Sequence, residues 1–209
     1  SASPAIRTVA KNASTAFTFT PDIGHHVAST SDNCGSGGSF DTATGVYTTG
    51  PVATNCSVNV TFALDTFTVS ANAGSGGSID PASRRVDYNA TTSFTITPNA
   101  GFVVASASGC DGTLSGNVYT TGPVTANCTV SVTFGPASYQ VTPVAGPHGT
   151  LTPSTTQTVG YQAVLTFTAN PAPSYKTKSV SGCNATAKNN KITTGPITAD
   201  CTLTVIFGK

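Results

Sequence analysis

The chain has 209 residues, 38% of them apolar, with 21 glycines, enough material for packed cores in one large or two to three small domains. Only 8% of residues are charged, the net charge is +1, glutamate is absent, and the nine Lys and Arg are scattered, so nothing is arranged to neutralise a phosphate backbone and nucleic acid is excluded as a partner. No apolar run approaches the roughly 18 residues of a membrane span, and the start at Ser1 reads as a mature product after signal removal or as an excised fragment.

Helix formers are scarce and β-branched residues abundant, which predicts an all-β chain. Self-similarity divides it into three tandem modules, 1–64, 65–136 and 137–209. In the first module Phe17-Thr18-Phe19-Thr20-Pro21 precedes His25-His26. Gly45-Val46-Tyr47-Thr48-Thr49-Gly50-Pro51 then leads to Asn55-Cys56. Cys56, Val58, Val60 and Phe62 alternate with polar residues, as in a strand with one face on a core and one in water. Pro4 aligns with Pro81 of the second module, which is already past that module's first strand. The first module therefore lacks its opening strand: either that strand was cut off with a longer chain, or another molecule supplies it, since an unpaired edge invites a strand from elsewhere.

The second module predicts six strands: Thr66–Ala71, Arg84–Tyr88, Ser93–Pro98, Phe102–Ser106, Val118–Thr120 and Cys128–Phe134, separated by Gly, Pro, Asn and Ser clusters. Its Val118-Tyr119-Thr120-Thr121-Gly122-Pro123 repeats the first module's sequence, and Cys128, Val130, Val132 and Phe134 repeat its parity. In the third module Ile192-Thr193-Thr194-Gly195-Pro196 leads to Cys201, Leu203, Val205 and Phe207. The links from Phe62 to Phe67 and from Phe134 to Tyr139 are short, which predicts a rod-like string rather than beads on a flexible tether.

The six cysteines fall two per module, at separations of 22, 18 and 18 residues. Six cysteines allow about fifteen connectivities. The repeat makes pairing within modules the simplest: Cys34 with Cys56, Cys110 with Cys128, Cys183 with Cys201. Each bond would stabilise its module by roughly 3 kcal/mol on the chain-entropy model, and disulfides imply an oxidising compartment. A zinc site wants close pairs with histidine partners, and a redox dithiol wants C-x-x-C; neither pattern is present.

The segment TPNAGFVVASASGCDGTLSGNVYTTGPVTANCTVSVTF, Thr97 to Phe134, resembles the divergent internalin B-type repeat of bacterial surface and secreted proteins, and SVSGCNATAKNNKITTGPITADCTLTVIF in the third module resembles it equally. The first module is more divergent. The resemblance implies a small β-rich fold, β-grasp-like, in an extracellular bacterial setting where such repeats serve as spacers, stalks and adhesive segments. It carries over no catalytic residue.

Adjacent residues of a strand point to opposite faces, so His25 and His26 are expected not to chelate one metal but to be one partly buried and one exposed. His148 falls in the turn Gly146-Pro147-His148-Gly149. The eight Asp are spread through loops, G-x-S-x-G is absent, and no calcium-loop pattern occurs. Tyr47 and Tyr119, before the T-T-G-P turns, are candidates for a sugar-stacking platform, with core or rim packing as the rival. The resulting expectation is a secreted, non-enzymatic structural protein with no cofactor, metal or catalytic residue. Its expected partners are copies of itself or other extracellular proteins, with polysaccharide binding as the alternative.

Overall fold

A computed structural model describes all of residues 1–209. The chain is all strand and contains no helix. In the first module the strands are β1 (Ala2–Ser3), β2 (Ala16–Phe19), β3 (His25–Asp32), β4 (Ser39–Asp41), β5 (Val46–Thr48) and β6 (Val58–Leu64). In the second they are β7 (Thr66–Ala73), β8 (Gly77–Asp80), β9 (Ser83–Asp87), β10 (Ser93–Pro98), β11 (Phe102–Ser108), β12 (Thr113–Ser115), β13 (Val118–Thr120) and β14 (Cys128–Pro136). In the third they are β15 (Ser138–Ala145), β16 (Gly149–Thr152), β17 (Gln157–Gly160), β18 (Thr166–Pro171), β19 (Lys176–Ser181), β20 (Thr186–Lys188), β21 (Lys191–Thr193) and β22 (Cys201–Gly208).

All six strands expected in the middle module form. Two further strands, β8 and β12, were not anticipated; each spans three or four residues, too short for alternation to register. A grasp-like module packs a helix on a sheet, and no helix forms here. Each of the last two modules instead pairs two four-stranded sheets. Their orders are β11-β14-β7-β9 and β12-β13-β10-β8 in the second module, and β19-β22-β15-β17 and β20-β21-β18-β16 in the third.

The chain divides into two compact units. One holds Ser1–Ala71, Pro81–Phe94 and Ser108–Val130, and the other holds Asn72–Asp80, Thr95–Ala107 and Ser131–Lys209. The division passes through the middle module rather than between modules.

In the second unit, Val141, Leu203, Val205 and Phe207 on one sheet of the third module meet Leu151, Phe167, Ala169 and Ile192 on the other. Here β15 runs parallel to β22, with Val141 opposite Cys201 and Ala145 opposite Val205. It runs antiparallel to β17, with Tyr139 opposite Val159. Leu203 and Val205 are fully buried while Thr202 and Thr204, which alternate with them, are more exposed, so the sequence alternation becomes the two sides of the sheet.

In the first unit, β1-β2-β5-β4 form one sheet and β3-β6 a second sheet of two strands. By position in the repeat, β6 matches β14 and β22. Nothing occupies the place that β7 and β15 take beside those strands.

Candidate functional site

The three disulfides join Cys34 to Cys56, Cys110 to Cys128 and Cys183 to Cys201, with Cα atoms 4.9, 5.6 and 5.5 Å apart. No cysteine is free. Each pair closes the neck of an excursion. The chain leaves one sheet after β3, β11 or β19, forms a hairpin in the other sheet, and returns to the first as β6, β14 or β22. The glycine before Cys110 and Cys183 has a physical reason. Gly109 and Gly182 sit at φ +116° and +84°, and a side chain there would run into the backbone carbonyl of Thr129 or Thr202.

Tyr47 and Tyr119 are 5% and 1% exposed, so neither offers a ring face to a sugar. The stacking platform is replaced by core packing, because the phenols point inward to partners. Tyr119 Oη donates to the Gly109 carbonyl at 2.7 Å, and Tyr47 Oη donates to the Asp32 carboxylate. Burial first, and then the Asp32 hydrogen bond and charge, push the Tyr47 pKa up to about 12.

His25 and His26 are both exposed, which corrects the expectation that one is partly buried. His26 Nδ1 lies 2.7 Å from Asp65 Oδ1, and His25 Nδ1 lies 3.2 Å from the Ile23 carbonyl. His148 occupies its turn at φ +70° and stacks on Tyr175, ring centres 4.1 Å apart. No three His, Cys, Asp or Glu side chains gather in a group that could hold a metal ion.

A repeated polar clamp was not legible in advance. Thr49, Thr121 and Thr194, the second threonine of each T-T-G-P, are buried to 2–4% exposure. Their Oγ1 atoms accept from the backbone N–H of Thr15, Thr92 and Leu165 at 3.1, 3.0 and 3.0 Å. Only the repetition of the residue in three modules hinted at it.

A cleft of about 640 Å³ opens in the first module. Phe17, Val52, Val58 and residues 4–9 line it. Three of the apolar wall residues have buried counterparts in both other modules. Val58 corresponds to Val130 and Leu203, both 0% exposed, and Phe17 to Phe94 and Phe167, at 1% and 0%. Val52 corresponds to Val124 and Ile197, both 2% exposed. In the first module Val58, Phe17 and Val52 are only partly buried, and Ile6 is 86% exposed. Residues 6–10 match β9 by position yet form no strand, because the partner that β9 has in β7 is missing. The sequence located this gap through the absent opening strand; the depth and lining of the cleft needed the coordinates.

Residues 67–138 match the model of the divergent InlB B-repeat domain. No curated protein matches the chain. Among solved structures, the Bacillus anthracis TIE protein aligns with 81% of this chain at 7% identity and a TM-score of 0.29, and this chain spans 39% of that one.

Proposed function

We infer, from a middle module that is a divergent InlB B-repeat and two neighbours that repeat its strands, that the chain is a non-enzymatic extracellular structural protein, a stalk or adhesin segment or the subunit of a filament. The observation that carries the reading is the same neck disulfide in all three modules. A covalent closure at one place in each module holds small cores together where solvent and proteases are uncontrolled. Short, charge-poor strands and a surface rich in Ser, Thr and Asn support it. The partners are extracellular proteins or further copies of the chain. Polysaccharide binding loses its aromatic platform with the burial of Tyr47 and Tyr119.

Limited proteolysis tests the structural reading. The oxidised chain is expected to resist a broad-specificity protease and the reduced chain to be cut between the paired cysteines. Equal lability of both forms removes the reading. Electron microscopy of native material separates a stalk from a filament subunit, since monodisperse monomers under all conditions eliminate the filament.

A further inference from the structure

We propose that a left-handed glycine in one module and the tyrosine ring that covers it from the next are the residue pair that decides whether consecutive modules dock, and that Ser174 closes this seat on the third module.

The seat is one turn, present three times. The N–H of His25, Phe102 and Tyr175 donates to the carbonyl of Asp22, Asn99 and Ala172, at 3.0 Å in each case. The third residue of each turn, Gly24, Gly101 or Ser174, lies at φ +73°, +82° or +67°. A turn with its third residue in the left-handed region calls for glycine, because a Cβ is strained there. The first two modules comply. The third keeps the same turn and carries a side chain at that residue, exposed to solvent. Strain retained where glycine would remove it points to a role for the side chain itself.

The two glycine turns show what such a side chain meets. The carbonyl of Gly24 accepts the N–H of Asp65 at 2.7 Å, and that of Gly101 accepts the N–H of Ala137 at 2.8 Å. Asp65 and Ala137 are the residues just before β7 and β15, so each turn is tied to the start of the following module. Tyr88 of that module then packs on Gly24, and Tyr161 on Gly101. A Cβ on Gly101 would stand 2.7 Å from Tyr161 Cδ1, 2.9 Å from its Cγ and 3.1 Å from its Cβ, and one on Gly24 would overlap the Tyr88 ring more deeply. Turning the ring does not clear the overlap, because the atoms at its root are already too close. Gly24, Asp65 and Tyr88 belong to one compact unit and Gly101, Ala137 and Tyr161 to the other, so each contact lies within a unit.

Ser174 carries the atom for which these two contacts leave no room. The third module therefore refuses a module with tyrosine at the place of Tyr88 and Tyr161, whatever the polypeptide continues into. The refusal matters because head-to-tail contacts of one kind generate open-ended stacks unless something stops them. A second copy of the chain offers Lys11 at the place of those tyrosines, so copies meeting at Ser174 bring neither half of the pair. The contact that joins modules within the chain is in this way kept from joining one chain to the next. A filament of such chains must use another surface.

Two experiments on the full oxidised chain test the pair. In the first, a copy of residues 65–136 is fused directly after Lys209, with Ser174 kept or replaced by Ser174→Gly. The first residue of the copy then lies as far beyond position 174 as Ala137 lies beyond Gly101. Its amide is expected to exchange with solvent at least about tenfold more slowly in the Gly form than in the Ser form. Nitrogen-15 relaxation should show the copy tumbling together with the third module in the Gly form only. In the second experiment, Gly101→Ser puts the closed residue into a docked seat. The Ala137 amide is expected to exchange about tenfold faster when Tyr161 is present and to change clearly less in a Tyr161→Ala background. The strain of a left-handed serine is common to both backgrounds, whereas the overlap with the ring is not.

Equal exchange of the fused copy in the Ser and Gly forms overturns the inference, whether both forms dock or neither does. So does an equal effect of Gly101→Ser with and without Tyr161, which leaves backbone strain as its whole cause. If Gly101→Ser fails to fold, the fused pair still decides. Protease resistance of the parent chain tests the extracellular reading separately, and none of these outcomes alters it.

Discussion

Thr49, Thr121 and Thr194 do one job three times. Each hydroxyl accepts the backbone N–H of the residue just before β2, β10 or β18, and the carbonyl of that same residue accepts the threonine's own N–H. Thr121→Val keeps the shape and removes the acceptor, leaving the Thr92 N–H without its partner. The expected cost is about 1–3 kcal/mol, the desolvation penalty of an orphaned buried amide, read as a lower midpoint in urea at unchanged slope. Tyr47 differs from Tyr119 in its partner: Asp32, absent from the other modules, accepts the hydrogen bond of its phenol. The folded pKa of about 12 stands above the ordinary 10.0, so the fold favours the neutral phenol. The stability gained this way is complete below pH 10 and is lost as the pH climbs from there to about 12. Ultraviolet titration of Asp32→Asn should show the Tyr47 midpoint falling back toward the ordinary value.

Among the elements, long strands were legible and short ones were not. Cys128–Phe134 carries four inward residues at strict alternation, and β14 forms where that pattern lies. Gly77–Asp80 and Thr113–Ser115 have no such run; β8 is defined by pairing with β10, and β12 by pairing with β13. The partner of β8 is distant in sequence, which a local pattern cannot encode, whereas β12 pairs with β13 directly across the Gly116-Asn117 turn and is simply too short to show a period. The tyrosines were misplaced for a related reason. A Tyr beside a turn reads equally as a surface platform or as a core residue with a satisfied hydroxyl, and only the position of Gly109 decides for Tyr119. The neck disulfides belong to this scale too. Replacing Cys110 and Cys128 together by Ser opens a loop of sequence separation 18, and the expected loss is about 3 kcal/mol, measured by chemical unfolding of the double variant against the oxidised parent.

For the whole molecule, the repeats are unequal in spite of their common plan. The third module closes a core of nine buried residues, while Phe17, Val52, Val58 and Val60, which stand in the first module where Phe167, Ile197, Leu203 and Val205 stand in the third, remain partly open to solvent. Native-state hydrogen exchange should therefore find the amides of β3 and β6 opening well before those of β19 and β22, with local free energies lowest around the cleft. Equal protection across the two modules would contradict this ordering. The neck disulfides carry a consequence for a chain pulled from its two ends. Tension passes across each sulfur–sulfur bond and bypasses the residues looped out behind it. About 60 Å of contour per closed loop of sequence separation 18 stays stored even after the strands peel apart. Only a reductant releases that slack, so the extensibility of the chain is set by the redox chemistry of its surroundings.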